Sequence, residues 1–84
     1  LPILEETGEI EALDYYVYEE AFRWLAARKE SGLKLIPLSL NVSPVHFRKI
    51  QTFTRKVMEL IQKYEISSQY LIFEITETTY IHKY

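Results

Sequence analysis

The sequence predicts an α/β chain in which helix, strand, helix and strand follow in that order, with the two strands parallel. Three observations lead there. Apolar residues recur at three- and four-residue steps over Glu9–Glu30 and again from Phe53 to Tyr64, which is the helical period. The stretches PLSLNV and YLIFEITET carry the alternation and the aromatic and β-branched side chains of strands. No hairpin signal lies between them, and strands divided by a whole helix usually run parallel through right-handed crossovers.

Each element has a local reason. In the first helix, Ile10, Leu13, Val17, Ala21, Trp24 and Leu25 are expected to share the core-facing side. Glu9 and Glu11 lie near its start, where the helix dipole favours negative charge, and Arg28 and Lys29 lie near its end. Gly32 is a natural C-terminal stop. LPILEETG before it reads as a turn or a single helical turn. The first strand is expected from Pro37 to Val42, because proline cannot donate to a ladder and so marks a strand's beginning. Ser43-Pro44 is an N-cap followed by proline at the first helical position. Phe47 and Ile50 form one apolar turn, and Phe53, Val57, Leu60, Ile61 and Tyr64 line the second helix. Glu65–Gln69 is turn-like, and Tyr70–Thr78 is the second strand.

The composition narrows the function classes. The chain has 84 residues, room for at most one domain, and its net charge of -2 lacks the basic balance of a duplex nucleic-acid binder. Neither DNA nor RNA is an expected partner. There is no cysteine, which excludes disulfides and thiolate metal sites. No apolar run approaches the roughly 20 residues of a membrane span, and no signal peptide is visible. The expected compartment is the cytoplasm, with membrane tethering of a longer parent left open. The absence of an initiator methionine suggests a piece of something longer.

Two polar residues stand out at strand ends. Asn41 lies at the C-terminal end of the first strand, and Glu74 near that of the second. Ser39 and Asn41 share one face, as do Ile72, Glu74 and Thr76. If the strands are parallel neighbours, Asn41 and Glu74 converge above the edge where parallel α/β folds build active sites. An amide oxygen and a carboxylate are hard donors suited to Mg²⁺ or Mn²⁺. The same residues also have plain readings. Asn41 before Val42-Ser43-Pro44 suits an Asx turn, and Glu74 suits a solvated edge strand. Glu77, three residues beyond Glu74, reads either as a carboxylate anchoring a loop or as an exposed charge. His46 and His82 lack a partner at metal-ligand spacing, and His46 is expected at the surface. Tyr15, Tyr16 and Tyr18 read as packing and rim residues, since a base-stacking platform would be accompanied by basic residues. Glu11-Ala12-Leu13 is expected to be ordinary helix, with Leu13 toward the core and Glu11 toward solvent.

Three segments in order resemble the EAL domains of bacterial second-messenger signalling. LPILEETGEIEALDYYV is similar to the family's FIPLAEETGLI segment with its following LD and helix. PLSLNVSPVHF resembles its strand ending in N-[LV]-S, and YLIFEITET its strand with E-[LIV]-T-E. The resemblance covers essentially the whole chain. It implies a fragment of a (β/α)8 TIM-type barrel that hydrolyses cyclic di-GMP to the linear dinucleotide pGpG, with Mg²⁺ or Mn²⁺ ions at the C-terminal mouth.

By that resemblance, Asn41 and Glu74 match metal-ligating positions, and Glu77 matches the glutamate that steadies a loop near the metals. The namesake motif of the family lies on an earlier strand, so Glu11 is not its glutamate. The family's later acidic residues and its catalytic lysine also fall outside this sequence. Residues 1–84 are therefore expected to be a partial domain that is inactive when isolated and that associates with itself through exposed barrel edges. The parent is expected to be a cyclic di-GMP phosphodiesterase, in some arrangements dimeric with sensory or cyclase domains. Two alternatives stand beside it. One is a degenerate EAL-like domain that binds nucleotide or protein without catalysis. The other is an independent small α/β interaction module.

Overall fold

The computed structural model describes residues 8–75. Helix α1 spans Glu9–Glu30, strand β1 Leu38–Val42, helix α2 Ile50–Tyr64 and strand β2 Leu71–Ile75. Short 3₁₀ turns at Pro44–Lys49 and Ser68–Tyr70 lead into α2 and β2. The strands pair in parallel, with Leu38 opposite Leu71 and Val42 opposite Ile75. The expected α/β order is thus the observed one. The expectations for LPILEET, for Thr76–Thr78, and for Glu77 and His82 fall outside the described residues.

Local chemistry sets the boundaries. Gly8 precedes α1 with φ at 79°, a left-handed conformation that a side chain would strain. At the other end Leu33 N–H donates to the Arg28 carbonyl at 2.9 Å and Gly32 N–H to Lys29 at 3.1 Å. With Gly32 at φ 75°, these two bonds form a Schellman stop. Pro37 lies just outside β1, as its missing N–H requires. Helix α2 ends without glycine, and Glu65 itself takes the left-handed conformation at φ 54°.

The helices cover one face of the two-stranded sheet. Leu40 and Val42 of β1 and Leu71 of β2 are buried, while the alternate residues Ser39, Asn41, Ile72 and Glu74 are exposed. Tyr18, Phe22 and Leu25 of α1, Leu60 of α2, and Ile66 pack with Leu40 and Leu71 into one core. Val57, Leu60, Phe53, Ile61 and Tyr64 turn inward as their spacing predicts.

The face of α1 is a correction. Leu13 is 58% exposed, and Val17 and Trp24 are exposed as well. Ile10 and Ala21 are only half-buried. The buried stripe is Glu11, Tyr18, Phe22 and Leu25. Two stripes on this helix satisfy the three- and four-residue rule, and periodicity cannot choose between them. Aromatic area alone does not choose, since Trp24 lies on the exposed stripe; the stripe carrying Tyr18 and Phe22 turns inward where β2 and α2 present Phe73, Phe53 and Tyr64 to it. Tyr18 meets Phe73 edge-on at 5.4 Å and Phe53 at 6.0 Å, which joins α1 to β2 and α2. The apolar turn at Phe47 and Ile50 is likewise exposed.

Candidate functional site

Asn41 and Glu74 are register partners across the sheet. Partners in a parallel pair project to the same side, and here both are exposed on the face that the helices leave uncovered. Adjacent strands run about 4.8 Å apart, so an amide oxygen and a carboxylate oxygen on these residues can meet around one small ion. Both residues lie one position before the end of their strands. The arrangement places hard oxygen donors at the C-terminal edge of parallel strands.

The donor chemistry and placement fit Mg²⁺ or Mn²⁺, which favour oxygen ligands in octahedral geometry. The set is incomplete, however. Among the described residues no group of three or more His, Cys, Asp or Glu could hold a metal ion. Asn41 and Glu74 would supply two positions, with the others left to water, substrate oxygens or residues outside the described ones. Glu77 lies outside the described residues.

The loop that follows Asn41 is held from α1. His46 Nε2 lies 2.9 Å from Asp14 Oδ2, and Lys49 Nζ donates to Glu11 Oε2 at 2.7 Å. A carboxylate only accepts, so the His46 nitrogen carries the hydrogen. The spacing explains why both contacts form together. Residues three apart share a face on an α-helix, and they eclipse on a 3₁₀ helix with its three residues per turn. Glu11 and Asp14 therefore present two carboxylates to a matching pair, His46 and Lys49.

This double contact overturns two sequence expectations. His46 is 1% exposed rather than at the surface, and it packs against Phe53 at 4.8 Å and Tyr15 at 5.2 Å. Glu11 is 9% exposed rather than turned to solvent. The hydrogen bond from Lys49 holds the Glu11 carboxyl below its ordinary range, against the opposing effect of burial. Its second oxygen, Oε1, is buried without a hydrogen-bond partner. No local signal reveals either pairing, since the partners lie 32 and 38 residues apart.

Tyr18 makes a third contact from α1. Its hydroxyl donates to the main-chain carbonyl of Asn41 at 2.7 Å. Burial, followed by the nearby Asp14 and Tyr15, pushes the phenol well above its ordinary range, so it remains a donor. Of the three tyrosines expected to be packing or rim residues, Tyr18 is fully buried, Tyr15 half-buried and Tyr16 exposed.

Fold and site together define a parallel α/β segment carrying hard oxygen donors at the C-terminal strand edge. The family model described as the EAL domain matches residues 1–84, and the chain belongs to that family. Its two strands and their covering helices are an α/β part of the TIM-type barrel that these domains build. The oxygen sensor protein DosP of Escherichia coli strain K12 is 36% identical over 78 residues, which is 93% of this chain and 10% of that protein. The cyclic di-GMP phosphodiesterase PdeF of the same strain is 30% identical over 78 residues, with the same shares covered. The chain thus spans about a tenth of the length of these relatives. No solved structure matches.

Proposed function

We propose that this segment belongs to an EAL domain that hydrolyses cyclic di-GMP to linear pGpG. In this reading Asn41 and Glu74 are metal ligands, and Glu77 anchors a neighbouring loop. The observation that carries it is the pairing of Asn41 with Glu74 on the open face at the strands' C-terminal edge. Membership of the EAL family and the likeness to PdeF, a cyclic di-GMP phosphodiesterase, support it. When bound, Mg²⁺ or Mn²⁺ would neutralise phosphate charge and lower the pKa of an attacking water. The chain's own contribution is placement. The Asn41 amide oxygen offers a neutral donor, the Glu74 carboxylate offers charge, and the sheet fixes their separation.

By the family resemblance the remaining acidic ligands and the lysine that helps position the attacking water lie outside residues 1–84, so the isolated chain is expected to be inactive. The test uses the full-length protein that carries this segment. Asn41→Ala and Glu74→Gln should each lower Mn²⁺-dependent pGpG formation by on the order of a hundredfold or more, beyond the loss typical of outer-shell changes. Wild-type turnover in both variants would remove the ligand assignment. Nucleotide binding without turnover in the wild-type protein would instead establish the non-catalytic alternative.

A further inference from the structure

We propose that Tyr18 is a positioning residue for Asn41, setting the direction of its side chain from the opposite side of the sheet. The inference rests on the reading of Asn41 as a metal ligand, and it assigns the preparation of that ligand to a residue on α1.

The geometry is specific. Asn41 projects its side chain to the open face, while its neighbours Leu40 and Val42 turn toward the helices. Tyr18 belongs to the helical layer, yet its hydroxyl reaches the Asn41 carbonyl at 2.7 Å. The contact lies near the strand's end, since the described ladder stops one residue later at Val42 and Ile75. Beyond it the chain leaves through Ser43 into the 3₁₀ turn at Pro44. Strand ends carry fewer ladder bonds and reorient most easily, so an additional bond there restrains the peptide plane most effectively. A working site needs its groups held to about 0.5 Å and within about 10–20°. The Asn41 side chain is carried on that peptide, so restraining the peptide plane restrains where the amide oxygen can stand.

The Tyr18 ring is itself fixed. It is 1% exposed and sits edge-on to Phe53 and Phe73. Phenylalanine would fill the same space without placing a hydroxyl in the core, where an unpaired hydroxyl is costly. The hydroxyl is bonded to the main chain of the ligand residue, and through it α1 sets where Asn41 stands.

The experiment titrates Mn²⁺ alone into the full-length protein and follows loss of the free-ion signal by electron paramagnetic resonance. It compares wild type, Tyr18→Phe, Asn41→Ala and Val57→Ala at a temperature well below every melting midpoint. Val57→Ala removes buried apolar volume from α2 without touching a polar group, and so controls for general loosening. Asn41→Ala should lose the Mn²⁺ site. Tyr18→Phe should bind about three- to tenfold more weakly, the equivalent of one hydrogen bond. Val57→Ala should match wild type.

Wild-type affinity in Tyr18→Phe, alongside loss in Asn41→Ala, overturns the positioning role and leaves the ligand reading standing. Wild-type affinity in Asn41→Ala overturns both. An equal loss in Val57→Ala and Tyr18→Phe also overturns positioning, because the effect would then be loosening of the core.

Discussion

Removing the Asp14 carboxylate should destabilise the domain through a residue that is not mutated. His46 is 1% exposed and its Nε2 lies 2.9 Å from Asp14 Oδ2. Asp14→Ala leaves that nitrogen buried without its acceptor, and stranding one buried polar group costs about 1–3 kcal/mol. The Asp14 side chain is only 19% exposed, so the variant also recovers part of the cost of burying the carboxylate, and the net loss falls toward the lower end of that range. Against a total of about 5–15 kcal/mol for a typical domain, the loss is large enough to measure.

His46→Leu strands a smaller cost, because a partly exposed Asp14 can turn to water, and about 1 kcal/mol is expected. With both changed, no buried donor is left unpaired, so the double variant should resemble His46→Leu alone. The coupling energy from the cycle should then be about 1 kcal/mol or more. Urea unfolding of the EAL domain with wild type, both singles and the double measures it. A loss below about 0.5 kcal/mol for Asp14→Ala, or strictly additive singles, would refute the argument that this pair is a buried, mutually dependent contact.

Three further outcomes are expected. The Glu11 carboxyl is depressed below its ordinary value of 4.5 by Lys49, so it stabilises the fold above that value and loses the contribution as pH falls through the folded pKa. Lys49→Met should flatten the fall of melting temperature on acidification below about pH 4.5, and an unchanged acid slope would discount the pair. Glu65→Gly should stabilise the domain by about 0.5–1 kcal/mol in a thermal melt, because a left-handed φ costs a side chain about 1–2 kcal/mol and glycine relieves it while losing about half of that gain to its greater freedom in the unfolded chain. A lowered midpoint would show that the Glu65 side chain contributes more than its backbone costs. Finally, the isolated 84-residue chain should sediment as oligomers, since β1 and β2 each have an outer edge unpaired among the described residues and Ile72 and Ile75 are exposed. A single monomeric boundary at micromolar concentration would count against open edges as the driver.

The sequence by itself determined the elements, their order and the candidate ligands. Gly32, Pro37 and the switch of apolar period mark boundaries through local sterics and hydrogen bonding, so neighbours along the chain were enough to read them. The placement of Asn41 and Glu74 at neighbouring strand ends was legible because parallel pairing could be inferred from the helix between them, while their reading as ligands rather than a turn residue and a solvated charge came from the family resemblance. Only the tertiary structure decided which face of α1 turns inward. Leu13 and Val17 fit helical spacing as well as Tyr18 and Phe22 do, and the choice depends on what the sheet presents. Only the tertiary structure brought His46 to Asp14, Lys49 to Glu11 and the Tyr18 hydroxyl to the Asn41 carbonyl. Those contacts join residues 23 to 38 positions apart. Their formation depends on how α1 docks across β1, and no periodicity within either segment encodes that docking.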